Sequence, residues 1–147
     1  MAPGTTPGHR TSVANRLHSA AIHLLRGVRK EDVHSGVGPA RLSALSVLVF
    51  GGATRLTSLA RIEQVRPPTM TKIIAGLEAG GLVRRRFDAE DGRAVQLEAT
   101  ARGTKLLQDS RRRRVARLAA ALEGLAPEEL AVLDRAAAII ERIALKT

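Results

Sequence analysis

The 147-residue sequence contains no cysteine. Disulfide bonds, thiolate-bound zinc, a cysteine nucleophile and cysteine-based redox sensing are therefore excluded. Aromatic residues are also scarce, since Phe50 and Phe87 are the only two. Proteins that bind single-stranded nucleic acids usually stack the bases on aromatic rings, and two phenylalanines cannot provide such a surface.

Acidic residues are fewer than basic residues. The chain has 14 Asp and Glu residues against 24 Lys and Arg residues, which gives a formal net charge of +10. Such an excess of positive charge favours a polyanionic partner. Because the aromatic residues that single strands require are missing, the partner that we expect is double-stranded DNA.

The sequence also lacks an apolar run that approaches the length of a membrane-spanning helix. Its first residues lack the apolar segment of a signal peptide. They contain Pro3, Gly4, Pro7 and Gly8, so we expect a disordered tail over residues 1–11. We therefore expect a cytoplasmic protein with no membrane partner, and the remaining length fits one domain over residues 12–147.

The stretch from Arg66 to Arg93 carries the most specific pattern. Pro67 and Pro68 suit the first turn of a helix, where backbone N–H groups have no partners. Gly80 and Gly81 end this helix, because glycine tolerates the left-handed conformation. Between them, four residues have the i, i+3, i+4 and i+7 spacing of a buried helix face. These residues are Met70, Ile73, Ile74 and Leu77.

The opposite face of this helix carries small and polar residues. At about 100° per residue, its members are Pro68, Thr69, Thr71, Lys72, Ala75, Gly76 and Ala79. A helix with little side chain on one face can lie close against another surface, and the DNA major groove admits an α-helix. The alternative is that Ala75 and Gly76 are merely tolerated on a solvated face.

A shorter predicted helix, RLTSLARIEQ, precedes this one, with Thr54 or Thr57 as its N-terminal cap. The connection between the two helices is only Gln64-Val65-Arg66. Two short helices across a tight turn have helix-turn-helix geometry, in which the first helix braces the second and the second enters the major groove.

Two predicted strands follow, separated by the charged sequence DAEDGR, in which Asp91-Gly92 suits a hairpin turn. Arginines flank this turn on both sides, at Arg84, Arg86 and Arg93 among others. An arginine at a hairpin tip can enter a narrow minor groove, and a neighbouring carboxylate can orient its guanidinium. A solvated hairpin of mixed charge is the alternative.

Together these elements resemble the winged helix-turn-helix regulators of the MarR family. The resemblance rests on the run T-M-T-K-I-I-x-x-L-E-x-x-G-L-V-x-R-x-x-D-x-x-D-G-R and on an L-x-x-T-x-x-G pattern at Leu97, Thr100 and Gly103, where Thr100 caps a long helix. It is strongest from about Leu56 to Leu107. It implies a mainly α fold with a β-hairpin wing. The winged helix-turn-helix would span about 40–99, with dimerisation helices over about 12–34 and 100–146.

The resemblance also implies roles for particular residues. On the recognition helix, the expected DNA contacts are Arg66, Pro68, Thr69, Thr71 and Lys72. In the wing they are Arg84, Arg86 and Arg93. Arg93 would enter the minor groove, with Asp88 and Asp91 as the carboxylates that orient it.

The terminal helices carry more apolar surface than one winged unit needs. The expected dimer-interface residues are Val13, Leu17, Leu24, Leu133, Ile140 and Ile143. A second copy of the chain would cover them, as in similar family members, and two-fold symmetry would place two recognition helices about one DNA turn apart. The resemblance further implies a homodimeric repressor on a pseudo-palindromic operator, which a small and commonly aromatic, anionic ligand can release.

Other functions fit the sequence less well. An enzyme is disfavoured, because no phosphate-binding loop, nucleophile elbow or zinc pattern is present, and we expect no catalytic residue, cofactor or metal. A sequence-neutral architectural DNA-binding protein stays open, since high charge alone would suffice. The run Arg111 to Arg114 wraps most of a helical turn, so it forms either a solvated turn or a secondary phosphate contact.

Overall fold

The computed structural model describes residues 6–87 and 94–145. Its helices and strands confirm the expected fold class, mainly α with one antiparallel β-hairpin. The helices are α1 (Pro7–Arg29), α2 (Pro39–Gly51), α3 (Leu56–Ile62), α4 (Pro67–Ala79), α5 (Ala101–Leu122) and α6 (Pro127–Ala144), and the strands are β1 (Val83–Phe87) and β2 (Val95–Ala99). A 3₁₀-helix, Lys30–Ser35, follows α1.

The first helix begins earlier than the sequence predicted. The predicted boundary between a disordered tail over residues 1–11 and a helix from residue 12 is wrong, since α1 begins at Pro7. Proline suits this position because its ring sets the helical backbone angle and it has no N–H group to leave unbonded. Thr6 accepts the first backbone bonds of the helix from His9 (3.0 Å) and Arg10 (3.3 Å).

The hydrophobic core lies among α2, α3, α4, the hairpin and the start of α5. The predicted buried face of α4 is confirmed, because Met70, Ile74 and Leu77 have no exposed surface and Ile73 packs beside them. Each such side chain contributes about 1.5–3 kcal/mol through the apolar surface that it removes from water. The helix α2 faces them with Leu42, Ala44, Leu45 and Leu48.

The end of α4 joins the helix directly to the wing. Gly81 has φ 67°, its N–H bonds to the carbonyl of Glu78 (2.9 Å), and the N–H of Leu82 bonds to the carbonyl of Leu77 (2.9 Å). This pair of bonds is a Schellman motif, so the predicted glycine stop is confirmed. The chain then enters β1, whose register with β2 runs from Val83 opposite Ala99 to Phe87 opposite Val95.

Thr100 and Gly103 fix the start of α5 against this junction. The Thr100 hydroxyl donates to the Gly81 carbonyl (2.7 Å) and accepts the Gly103 N–H (3.0 Å), which confirms Thr100 as the cap. A Cβ on residue 103 would lie 2.1 Å from the carbonyl oxygen of Leu82. The threonine and glycine of the motif therefore have a physical reason: one caps the helix, and the other lets it approach the backbone.

Thr54 has a different role from the one predicted. Its backbone forms an isolated β-bridge to Leu97, with bonds of 3.0 and 2.8 Å. The residue at the N-terminal cap of α3 is Arg55, and α3 has no side-chain cap. The prediction of a Thr54 or Thr57 cap is wrong because the backbone of Thr54 is part of the sheet.

The described residues up to Arg114 and those from Val115 onwards form two compact units. The second unit holds the last part of α5 and the whole of α6, whose start at Pro127 is supported by a bond from the Ala126 N–H to the Glu129 carboxylate (3.0 Å). The single domain expected over residues 12–147 stays a prediction. In the part of the chain that is described, no single helix is long and apolar enough to cross a membrane, although the bent pair Pro7–Ser35 and Pro39–Gly51 together meets that test by length and composition.

Candidate nucleic-acid interface

The helices α3 and α4 form a helix-turn-helix whose turn contains a strained residue. Gln64 has φ 54°, in the left-handed region that favours glycine. The N–H of Gln64 bonds to the carbonyl of Arg61 (3.2 Å), and the N–H of Val65 bonds to the carbonyl of Ala60 (2.9 Å). The buried Leu59 and Ala60 of α3 join the core beneath α4, so this turn sets the direction in which α4 leaves.

All five residues predicted to contact DNA from the recognition helix α4 are exposed. They are Arg66, Pro68, Thr69, Thr71 and Lys72. Arg66 occupies the N-terminal cap position, and the first turn of α4 holds no acidic residue. The positive end of the helix dipole therefore faces outward without a neutralising carboxylate, which favours an anionic partner.

The side chains on this face differ in whether their hydrogen-bond donors are already used. The Thr71 hydroxyl donates to the Pro67 carbonyl one turn earlier (3.0 Å), so only its acceptor capacity is left. Within the described ranges, Thr69 and Lys72 have neither a hydrogen bond from their side chains nor an ion pair. The same holds for Arg66, so the donors of all three side chains are free.

Gly76 does not lie on a bare outer face, as the helical spacing suggested. A Cβ on residue 76 would lie 2.4 Å from Cζ of Arg41 and 2.5 Å from its Nε and Nη2. The Arg41 guanidinium, which comes from the first turn of α2, therefore occupies the space that a side chain at 76 would need. A glycine inside a helix signals a close approach, but the sequence alone did not identify Arg41 as the group that approaches.

The wing arginines that were predicted to bind DNA have a common acidic partner. Arg84 pairs with Glu98, the residue opposite it in the hairpin, and Arg86 Nη1 lies 3.6 Å from Glu98 Oε2. Both arginine side chains are still more than half exposed. The remaining wing residues predicted for the site, Asp88, Asp91 and Arg93, lie outside the described residues.

Arg85, which the sequence reading did not single out, connects the wing to α4. Its Nε and Nη2 donate to the two carboxylate oxygens of Glu78, at 2.8 and 3.3 Å. This two-point contact limits the rotation of the hairpin relative to the recognition helix. Residues 84 and 86 alternate with 85 along the strand, which explains why one arginine faces α4 while its neighbours face Glu98.

The residues predicted for a dimer interface lie on α1 and α6, and neither helix contains a buried residue. The exposed fractions range from 36% for Leu17 to 54% for Leu24. The full set is Val13, Leu17, Leu24, Leu133, Ile140 and Ile143. Each helix thus has an apolar stripe that its own compact unit leaves uncovered.

A cavity of about 210 Å³ opens between the end of α1, α2 and α5. Arg29, Arg111 and Arg114 line it, together with the exposed ring of Phe50. Among the described residues that line it, the one carboxylate is Asp32, which is 6% exposed and whose Oδ1 lies 3.6 Å from Arg114 Nε. The described lining thus holds three guanidinium groups against one carboxylate, which is an excess of positive charge.

The run Arg111 to Arg114 therefore divides between separate surroundings. Arg111 and Arg114 line the cavity, whereas Arg113 Nη2 donates to the Oγ of the buried Ser110 (3.1 Å). Arg112 pairs with Asp109, which also accepts a bond from Lys105 Nζ (3.0 Å). The pKa of Asp109 is lowered, first by the hydrogen bond from Lys105 and then by the positive charges of Lys105, Arg112 and Arg113.

Comparisons with known proteins agree with this architecture. Residues 39–95 match the model of the MarR family. An uncharacterized HTH-type transcriptional regulator of Mycobacterium leprae is 36% identical over 128 residues, which cover 87% of this chain and 90% of that protein.

Two solved structures extend the likeness over nearly the whole chain. A MarR family protein from Bacillus stearothermophilus matches with a TM-score of 0.80 at 21% identity, over 95% of this chain and 98% of that one, and shows the same fold. NadR, whose crystal structure was determined in complex with 4-hydroxyphenylacetate, matches with a TM-score of 0.62 at 26% identity, over 87% and 91% of the two chains.

The winged helix-turn-helix, the exposed basic start of α4 and the relatives point to the same class of protein. The expectation drawn from the motif around Thr69 to Arg93 is thus confirmed at the level of the family. The chain belongs to the MarR family of DNA-binding transcriptional regulators.

Proposed function

We propose that this protein is a repressor that binds a pseudo-palindromic operator as a homodimer and leaves it when a small anionic ligand occupies the cavity beside α5. The observation that carries the DNA part of this proposal is the exposed first half of α4. There Thr69 and Lys72 combine free donors with the positive end of a helix. Such a helix end suits the major groove, where side chains read base edges and bond to phosphates.

The wing would add contacts to the flanking minor groove. Arg84 and Arg86 together carry one more positive charge than the Glu98 that they share, so this part of the hairpin attracts phosphate with reduced strength. The resemblance to the family assigns the minor-groove insertion to Arg93, with Asp88 and Asp91 as orienting carboxylates. A narrow groove strengthens the attraction of an arginine that is already oriented.

The uncovered apolar stripes of α1 and α6 support the homodimer. Burying a half-exposed leucine or isoleucine against a second copy is favourable by about 25 cal/mol per Å² of apolar surface. The two-fold symmetry of such a dimer would place the two α4 helices about 34–36 Å apart, the spacing of successive major grooves on one side of the DNA. A pseudo-palindromic operator follows from that symmetry.

The arginine-lined cavity supports release by an anionic ligand. NadR, which shares the fold, binds the aromatic carboxylate 4-hydroxyphenylacetate. In this chain a ligand carboxylate would compete with Asp32 for Arg114, while the ring of the ligand would lie against Phe50 and Leu107. Asp32 belongs to the 3₁₀-helix that precedes α2, and α2 packs on α4. A ligand that displaces Asp32 from Arg114 would therefore shift α2 and, through it, the recognition helix α4.

A footprint on genomic DNA, with random DNA as competitor, tests the proposal of operator binding. We expect protected sites with two-fold symmetry and half-site centres about one DNA turn apart. Sedimentation of the same protein at micromolar concentration should show a dimer. Equal competition by random DNA would instead identify a sequence-neutral architectural protein, and a stable folded monomer would exclude the homodimer.

A matched pair of arginine variants tests the ligand cavity. With 4-hydroxyphenylacetate as the probe, we expect a rise in unfolding temperature and weaker operator binding for the wild type and for Arg112→Gln. Arg112 belongs to the same run but pairs with Asp109. Arg111→Gln should lose both responses, since it removes a cavity-lining guanidinium. Retention of both by Arg111→Gln would contradict this location.

A further inference from the structure

We propose that Arg41 contacts the DNA backbone and that the missing side chain of Gly76 leaves the space in which the Arg41 guanidinium is held. The DNA-contacting surface then extends from α4 onto the first turn of α2. This inference deepens the proposed operator binding and rests on it, although Arg41 itself would act on any duplex sequence.

The contact between the two residues is specific in its geometry. Cζ, Nε and Nη2 of Arg41 all lie at 2.4–2.5 Å from the place where a Cβ on residue 76 would stand. Because these three distances are nearly equal, the face of the planar guanidinium, rather than one N–H group, is turned toward Gly76. The N–H donors lie in the plane of the group and therefore point along the surface of α4, where they are free to bind.

The position of Arg41 places it beside the predicted base-reading side chains. Arg41, Thr69 and Lys72 line one shallow depression of about 320 Å³, between the first turn of α2 and the exposed side of α4. Gly76 lies one turn after Lys72 on the same side of α4. A phosphate that flanks the major groove entered by α4 would therefore meet the Arg41 guanidinium at the rim of that depression.

Arg41 also has no carboxylate partner among the described residues, unlike the wing arginines. Among the residues that the structure describes, no carboxylate lies within 4.0 Å of its guanidinium, whereas Arg84, Arg85 and Arg86 pair with Glu98 or Glu78. A guanidinium that is held by packing and has no internal counter-ion loses little entropy when it binds a phosphate, and its planar fork suits that ligand.

A double-mutant cycle of Arg41→Ala and Gly76→Ala tests this inference. The affinity of each variant for duplex DNA would be measured over a range of salt concentrations by fluorescence anisotropy. We expect Arg41→Ala to bind operator and random duplex more weakly by similar factors. The slope of log K against log salt, which is negative, should become smaller in magnitude by about 0.9, the value for one phosphate contact.

Gly76→Ala should reproduce this loss by a different route, because the added methyl group displaces the guanidinium. Its unfolding temperature should be unchanged or higher, since alanine is the better helix former. In the Arg41→Ala background the same substitution should have no further effect on binding. Arg112→Ala, which removes an arginine already paired with Asp109, is the matched control and should leave the slope unchanged.

Three results would overturn the inference. An unchanged slope in Arg41→Ala would remove the phosphate contact. A Gly76→Ala variant that binds like the wild type would show that Gly76 does not hold Arg41. An equal loss from Gly76→Ala with and without Arg41 would mean that the methyl group collides with DNA itself. All three are read on random duplex as well, so they are distinct from a failure of operator specificity in the wild type.

Discussion

The apolar residues of α4 and α6 have opposite surroundings in a single copy of the chain. In α4, Ile74 is fully buried, whereas in α6 Ile140 is 43% exposed. Both residues belong to a stripe with helical spacing, and the sequence reading treated both stripes as buried faces. The compact unit up to Arg114 buries its own stripe in α4, while α6 in the unit from Val115 onwards contains no buried residue.

This difference shows that helical spacing of apolar residues indicates that a face is buried but does not tell by which surface. For α4 the covering surface comes from α2, α3 and the hairpin of the same copy. For α1 and α6 the proposed covering surface is a second copy. If a second copy covers α6, substitutions in the α6 stripe should weaken dimerisation, whereas substitutions in the α4 stripe should destabilise each copy by itself.

The largest expected effect comes from the matched pair Ile74→Ala and Ile140→Ala. Ile74→Ala should destabilise the protein by about 2–5 kcal/mol at every protein concentration, because it leaves a cavity in the core. Ile140→Ala should act chiefly by weakening dimerisation, so it should raise the dimer dissociation constant, which Ile74→Ala should leave nearly unchanged. Urea denaturation measures the loss in Ile74→Ala, and sedimentation over a hundredfold range of protein concentration measures the dissociation constants. Equal dissociation constants for Ile140→Ala and the wild type would contradict a second copy as the covering surface of α6.

The next effect concerns DNA binding by the winged unit. Lys72→Ala should weaken operator binding by about 1–3 kcal/mol and random binding much less, because Lys72 is an unpaired cation on the exposed face of α4 beside the predicted base-reading Thr69. Lys105→Ala is the matched control, since Lys105 bonds to Asp109 on α5. Electrophoretic mobility shifts on both kinds of DNA measure this, and an equal loss on both would restrict Lys72 to phosphate contact.

Substitutions in the wing residues 88–93, which lie outside the described residues, should change operator affinity less, but the direction of the change at Asp91 distinguishes two roles for its carboxylate. Arg93→Ala should weaken operator binding while leaving fold and dimer intact, and Arg93→Lys should restore only part of it. Asp91→Asn should weaken binding by about 1 kcal/mol if the carboxylate orients Arg93, even though a negative charge near DNA is removed. Tighter binding of Asp91→Asn at fixed salt would show that the carboxylate only repels phosphate.

The smallest effect tests two equivalent helix ends within the winged unit. Gln64 and Gly81 both occupy the left-handed position of a Schellman motif, with φ 54° and 67°. Gln64→Gly should stabilise the protein by about 0.5–1 kcal/mol, because it relieves backbone strain, and Gly81→Ala should destabilise it by a similar amount. Urea unfolding of both variants provides the measurement. A stability loss in Gln64→Gly would mean that the glutamine side chain contributes more than its backbone strain costs.

Local patterns in the sequence were enough for the elements whose causes are themselves local. The spacing of Met70, Ile74 and Leu77 predicted the buried face of α4, since helical periodicity alone brings them to one side. Gly81 predicted the end of that helix and Thr100 predicted the start of α5, because a left-handed backbone and a capping hydroxyl act within a few residues. The same motif residues also predicted the family.

Contacts between residues far apart in the sequence were decided only by the tertiary structure. The occupation of the Gly76 surface by Arg41, the pairing of Thr54 with Leu97 and the meeting of Asp32 with Arg114 join positions separated by dozens of residues. Composition and spacing carry no record of such pairs, since each depends on how α2, the hairpin and α5 pack around a shared core. The order of the amino acids sets which helix faces are apolar and where helices end, whereas the packing of those faces sets which charged side chains are paired and which stay exposed.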